Sequence, residues 1–196
     1  RKQLAVYVIL ENVIAVGVAC TIGGTIVTWY QDTGIWHAVS LLATAGGLLG
    51  LAVCPIIINR WVTDKQTPLS LGAYAQAVGV AVVFWTVASM AFIFYLSAFP
   101  GSTHTNSMLE IAGTYLFSWG VGYMAIFAPQ GLGVFEVVAS DVLQTPLSMG
   151  ALTVLIAGFR VIVLMADLAA WGILLLARPL WPSTTERSTS NKRDDR

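Results

Sequence analysis

Apolar and polar residues are sorted along this chain into long blocks rather than short alternations. A membrane-spanning helix needs about 20 consecutive apolar residues at 1.5 Å of rise each. Residues 4–30, 38–58, 71–98 and 149–177 meet that requirement and predict spanning helices. The block between the third and the last of these runs is different. Residues 108–128 form a run long enough to enter a membrane deeply, but Pro129-Gln130-Gly131-Leu132-Gly133 interrupts it. The run that follows, 134–143, covers only about half a bilayer. Irregular backbone at membrane depth is tolerated only where it is buried in protein or lines a polar cavity. The break at 129–133 therefore points to a working site.

The cations orient the runs. Arg1 and Lys2 precede the first, Arg60 and Lys65 follow the second, and Arg178, Arg187, Lys192, Arg193 and Arg196 follow the last. The connections 31–37 and 99–107 hold no Lys or Arg. Lys and Arg concentrate on the cytoplasmic side, so both termini and the Arg60 connection are expected in the cytoplasm and the other two connections outside. Parity then constrains the interrupted block, which must leave the outer face near Pro100 and return to it before Pro146. It does so as a re-entrant hairpin turning at 129–133, or as a full span followed by a half-length tilted return. The fold class is thus all-α, a polytopic transmembrane bundle with a re-entrant or broken helix near 129–143. Trp29, Tyr30 and Trp36 on the outside, and Trp61 and Trp181 on the inside, match the aromatic belts of membrane interfaces. Gly46/Gly50 and Ala73/Ala77/Ala81 have the small-residue spacing that lets helices approach closely. The first residue is Arg1 and no leader pattern is visible, so the chain is expected to be the C-terminal part of a longer membrane protein.

Composition agrees with the pattern. Only 10% of residues are charged and the mean hydropathy is +0.77, against roughly 25% charge in soluble domains. The net charge of zero argues against a nucleic-acid partner. Cys20 and Cys54 lie inside apolar runs without metal spacing and read as small buried residues. His37 and His104 fall in connections far apart in sequence and suggest no metal site.

Charges inside a span cost a few kcal/mol each and mark a site or an ion pair. Arg160 stands eleven residues into the last run, near the midplane, where it serves either as a cation for an anionic group or as the partner of Glu136, Asp141 or Asp167. Asp167 lies two turns further on the same face. Glu136 falls in the first turn of the short helix after the break. It sits either at a deep anion site formed by that helix end or as a capping carboxylate. Glu11, beside Asn12, lies a third of the way into the first run, pairing with another helix or lining an inner vestibule. Glu110 reads as a solvated helix start. Tyr115, Trp119 and Tyr123 recur every four residues, a packing stripe or the wall of a lipid groove.

Three segments together resemble a family. Ser118-Trp119-Gly120-Val121-Gly122-Tyr123, then Ala128-Pro129-Gln130-Gly131-Leu132-Gly133-Val134-Phe135-Glu136, then Gly158-Phe159-Arg160 are similar to the lysylphosphatidylglycerol synthase transmembrane region. This is the flippase-like membrane domain of the multiple peptide resistance factor and of stand-alone relatives. Phe135 and Phe159 stand where that family has Arg and Tyr, and Leu10-Glu11-Asn12 resembles its Glu-Arg pair with Asn12 in the Arg place. The resemblance implies a flippase-like domain over residues 1–181, followed by a disordered cytoplasmic tail at 182–196, in the cell membrane. It implies translocation or binding of an anionic phospholipid or a polyprenyl-phosphate-linked lipid, with Arg160, Glu136, Pro129, Gly131 and Gly133 at the lipid site. Glu11, Asp141 and Asp167 are secondary polar positions. No cofactor or metal is implied; the partners are membrane lipids, with a homo-oligomer or a partner glycosyltransferase in addition. The family's soluble aminoacyl-transferase domain is absent from this chain, so lysyl transfer does not carry over and a transporter is favoured over an enzyme. A membrane-embedded enzyme of lipid-linked glycosyl or headgroup transfer, with Glu136 or Asp141 as acid or base, and a non-catalytic scaffold are the alternatives.

Overall fold

The computed structural model describes residues 2–62, 69–101, 106–125 and 131–177. Among them the chain is helical: α1 (Lys2–Tyr30), α2 (Ile35–Ile57) running on into a π-helical turn (Ile58–Val62), α3 (Leu71–Ser97), α4 (Met108–Met124), α5 (Val134–Val142) and α6 (Met149–Ala177). Helices α1, α2, α3 and α6 are long and apolar enough to cross a membrane. Their ends fall within a few residues of the apolar runs, because twenty or more apolar residues have no other way to satisfy their backbone in lipid. The chain divides into two compact units, residues 1–157 and 158–196.

In the first unit α1 is the element on which α2, α3 and α4 pack. It meets α2 through small residues. A methyl group on Gly24 would stand 2.8 Å from the Ser40 carbonyl oxygen, and one on Gly47 would stand 2.7 Å from that of Gly17. The hydroxyls of Thr28 and Ser40 hydrogen-bond across this seam at 2.7 Å. Gly46 and Gly50, the pair expected to allow close packing, have open space instead. The packing register on α2 runs through Gly47, one residue along.

Helix α3 runs parallel to α1, and the Trp85 indole donates to the Ala15 carbonyl at 2.9 Å. A ring cluster joins α3, α4 and α5: Phe92 stacks on Tyr115 at 5.0 Å, and Phe135 lies 5.8 Å edge-on from Tyr115. The opening of α6 joins the same unit, where Leu155 accepts from the Tyr95 hydroxyl at 2.9 Å and Thr153 bonds Ser140 at 2.8 Å.

Connections are closed by side chains. Ser70 and Ser107 cap α3 and α4, each accepting from a backbone N–H at 3.1 Å. Such caps contribute about 1 kcal/mol each. The Asn59 carboxamide grips Leu69 twice, accepting from its N–H at 2.7 Å and donating to its carbonyl at 3.1 Å. His37, expected in a connection, sits in the first turn of α2 with its ring against the Gln31 carbonyl. His104, Pro129, Gln130 and the tail lie outside the described residues.

Candidate functional site

The broken block is a hairpin. Helix α4 has 17 residues, about 25 Å of rise, and α5 has 9, about 13 Å. At the start of α4, Ser107 donates to the Tyr30 hydroxyl at 3.0 Å. At the end of α5, the Val142 carbonyl accepts from the Gln31 side chain at 3.3 Å, and the Asp141 carboxylate accepts from the Trp36 indole at 2.6 Å. Tyr30, Gln31 and Trp36 all belong to the turn between α1 and α2. Both arms therefore end at one side of the bundle, and the break lies at the other end of α4.

The depth of that break follows from α1. Helix α4 descends antiparallel to it: a methyl on Gly113 would strike Ile26, one on Gly23 the backbone of Phe117, and one on Gly120 the Cys20 sulfur. At the bottom the Tyr123 hydroxyl donates to the Asn12 carboxamide oxygen at 2.7 Å. Asn12 is eighteen residues before Tyr30, about 27 Å at the helical rise, so the hairpin penetrates close to the full hydrocarbon thickness.

Glycine makes the turn. Gly131 has φ 68° and Gly133 φ 84°, a region that costs other residues about 1–2 kcal/mol. Gly131 also lies on the backbone of Gly122, where a methyl group would meet the Gly122 carbonyl at 2.6 Å. Helix α5 starts at once after Gly133, and Glu136 reaches back so that its carboxylate accepts the Gly133 N–H at 2.8 Å. This is one half of a capping box; Gly133 has no side chain to return the bond. Glu136 is only 5% exposed, so its carboxylate sits against the positive end of α5 inside the protein. Gly131, Gly133 and Glu136 thus share one turn, as expected from sequence. Asp141 does not join them: it stands at the opposite end of α5, held by Trp36. Trp36, expected in the outer belt, is turned inward onto Phe117, with rings 6.1 Å apart. Arg160 and Asp167 belong to the second unit, where unbroken α6 keeps them on one face. Arg160 is half-buried and Asp167 exposed.

The hairpin tip closes one end of a groove of about 1020 Å³ between α1, α2, the end of α4 and the start of α5. Its wall is apolar, with Val13, Val16, Leu42 and Val134 among the lining residues, and Gly46 and Gly50 leave it wide. The hydrogen-bonded Asn12–Tyr123 pair supplies polar groups at the depth of the tip. The aromatic stripe on α4 divides between the two roles that its spacing allows. Tyr115 is buried among rings, Trp119 meets Trp85 edge-on and stacks on Tyr123, and Tyr123 reaches the groove. Sequence reasoning missed Gly46 and Gly50 as groove floor; the lack of any larger side chain there was the available sign. Among the described residues no group of His, Cys, Asp and Glu could hold a metal ion.

Four apolar helices of spanning length, with a helical hairpin in the first unit, define an integral membrane protein of the all-α class. Comparison with family models, with curated proteins and with solved structures gives no match.

Proposed function

We propose that this chain binds an anionic phospholipid or a polyprenyl-phosphate-linked lipid and moves it between leaflets, as the flippase-like family it resembles in sequence does. The observation that carries the proposal is the wide apolar groove that ends on a broken helix. Apolar walls suit the lipid chain, whereas a tail-lined channel alone offers a phosphate nothing. The start of α5 offers backbone N–H groups and a partial positive charge at membrane depth. Glu136 neutralises that end in the lipid-free protein, and the headgroup phosphate takes its place during passage. Arg160 is the cation we assign to the headgroup, and Asn12 and Tyr123 are the polar groups we assign to the groove. On the distribution of Lys and Arg, both ends of the chain face the cytoplasm of a plasma membrane.

Proteoliposomes carrying fluorescent anionic lipid test this. Wild-type protein should scramble the lipid, and Arg160→Ala should slow it at least tenfold, because a lost charge-assisted hydrogen bond is worth about 1.5–3 kcal/mol. Gly46→Leu should block the groove with similar effect, since its side chain enters open space and leaves the fold intact. Equal scrambling by wild type and both variants would remove Arg160 and the groove from the path, and a wild type no faster than protein-free vesicles would rule the transport role out. Turnover of a polyprenyl-phosphate substrate that Glu136→Gln abolishes would place the protein among the transferases instead.

A further inference from the structure

A second groove lies on the other flank of α1. It is about 610 Å³ in volume and runs between α1 and α3. Because the two helices are parallel, their lining residues sort by depth. Glu11 and Gln76 stand at the end where the helices begin, with Ala73 and Ala77 as a low floor; Ile14, Val80 and Phe84 line the deeper part. Neither Glu11 nor Gln76 makes a hydrogen bond or ion pair among the described residues. Glu11 is exposed and stands nineteen residues before Tyr30 in α1, about 28 Å at the helical rise, which sets it near the membrane face opposite the α1–α2 turn. A carboxylate facing outward at that depth meets lipid headgroups rather than tail ends.

We infer that this groove is a binding site for a phospholipid whose headgroup carries a primary ammonium. Charge complementarity selects the class. Glu11 is an acceptor only, the Gln76 carbonyl adds a second acceptor, and an ammonium supplies up to three N–H donors. An anionic headgroup is repelled by Glu11, and a trimethylammonium brings charge but no N–H. The acyl chain follows the apolar lining from Ile14 toward Phe84. Asn12, one residue along α1, points to the first groove, so α1 separates two lipid sites of opposite headgroup preference at one depth. The second site rests on Glu11 and Gln76 alone and stands whether or not the first transports anything.

The test is native mass spectrometry of protein released from nanodiscs holding phosphatidylethanolamine and phosphatidylcholine with matched tails at equal mole fraction. Wild type should retain phosphatidylethanolamine over phosphatidylcholine about tenfold. Glu11→Gln, a near-isosteric change, should reduce that ratio to about one, and Gln76→Leu should lower it partway. Thermal unfolding in phosphatidylcholine alone checks that the variants fold. Equal retention of both lipids by wild type, or a preference that survives Glu11→Gln, would overturn the assignment. So would a Gln76→Cys variant that crosslinks to a second polypeptide helix instead of remaining open to lipid.

Discussion

Three alanine substitutions at the hairpin turn should give unequal effects, although two of them touch the same contact. Gly131→Ala places a Cβ 2.6 Å from the Gly122 carbonyl carbon and oxygen, where the neighbour is backbone and cannot rotate away. The arms must separate by several tenths of an ångström, an overpacking cost of about 1–3 kcal/mol. The φ of 68° adds about 1–2 kcal/mol, for a total of about 2–5 kcal/mol. Gly133→Ala carries a similar conformational cost at φ 84° but meets nothing within 4 Å, so it should lose only about 1–2 kcal/mol. Gly122→Ala approaches Gly131 from the other side at 3.5 Å, an ordinary contact. It lies within α4, where alanine is favoured over glycine by about 1 kcal/mol, so it should be neutral or mildly stabilising. Reversible unfolding in mixed micelles by added denaturing detergent gives all three values. If Gly131→Ala unfolds no more readily than Gly133→Ala, the close approach of the arms is wrong. If Gly122→Ala is as costly as Gly131→Ala, the direction of approach is wrong.

Two further outcomes follow from contacts around α1 and α2. Gly24→Val should destabilise by about 1–3 kcal/mol, because even its Cβ would meet the Ser40 carbonyl at 2.8 Å, whereas Gly50→Ala should unfold like wild type; the same detergent titration reads both. Trp36→Phe keeps the ring against Phe117 but removes the donor to Asp141, so the α5 end should loosen and amide exchange at residues 139–143 should rise by about five- to tenfold, matching a loss of about 1–1.5 kcal/mol.

The spanning helices were legible because lipid leaves the backbone few choices. Run 71–98 matches α3 to within a residue, and run 149–177 starts where α6 does. The hairpin was legible for a less local reason: cation-free connections fixed both of its ends on one side, and a half-length second arm could not go elsewhere. Interhelical register was not legible. Gly46 and Gly47 carry the same local information, and only the partner residues Gly17 and Thr21 make Gly47 the contact and leave Gly46 facing the groove. The Trp36–Asp141 contact was not legible either, because nothing nearby in sequence announces Asp141 as the indole's acceptor. The end of α4 at Met124 was equally hidden, since apolar residues continue past it and the backbone contact with Gly131 comes from beyond the break.

The Asn59 side chain gives the turn between α2 and α3 a consequence of its own. By holding both backbone groups of Leu69, it fastens the two ends of that connection to each other. Lengthening the segment 63–68 then adds little more than loop-closure entropy, about 0.6 kcal/mol for each doubling, while the helices on either side keep their footing. That makes the segment a natural port for an inserted epitope or protease site, through which the sidedness of the whole bundle can be read from intact cells.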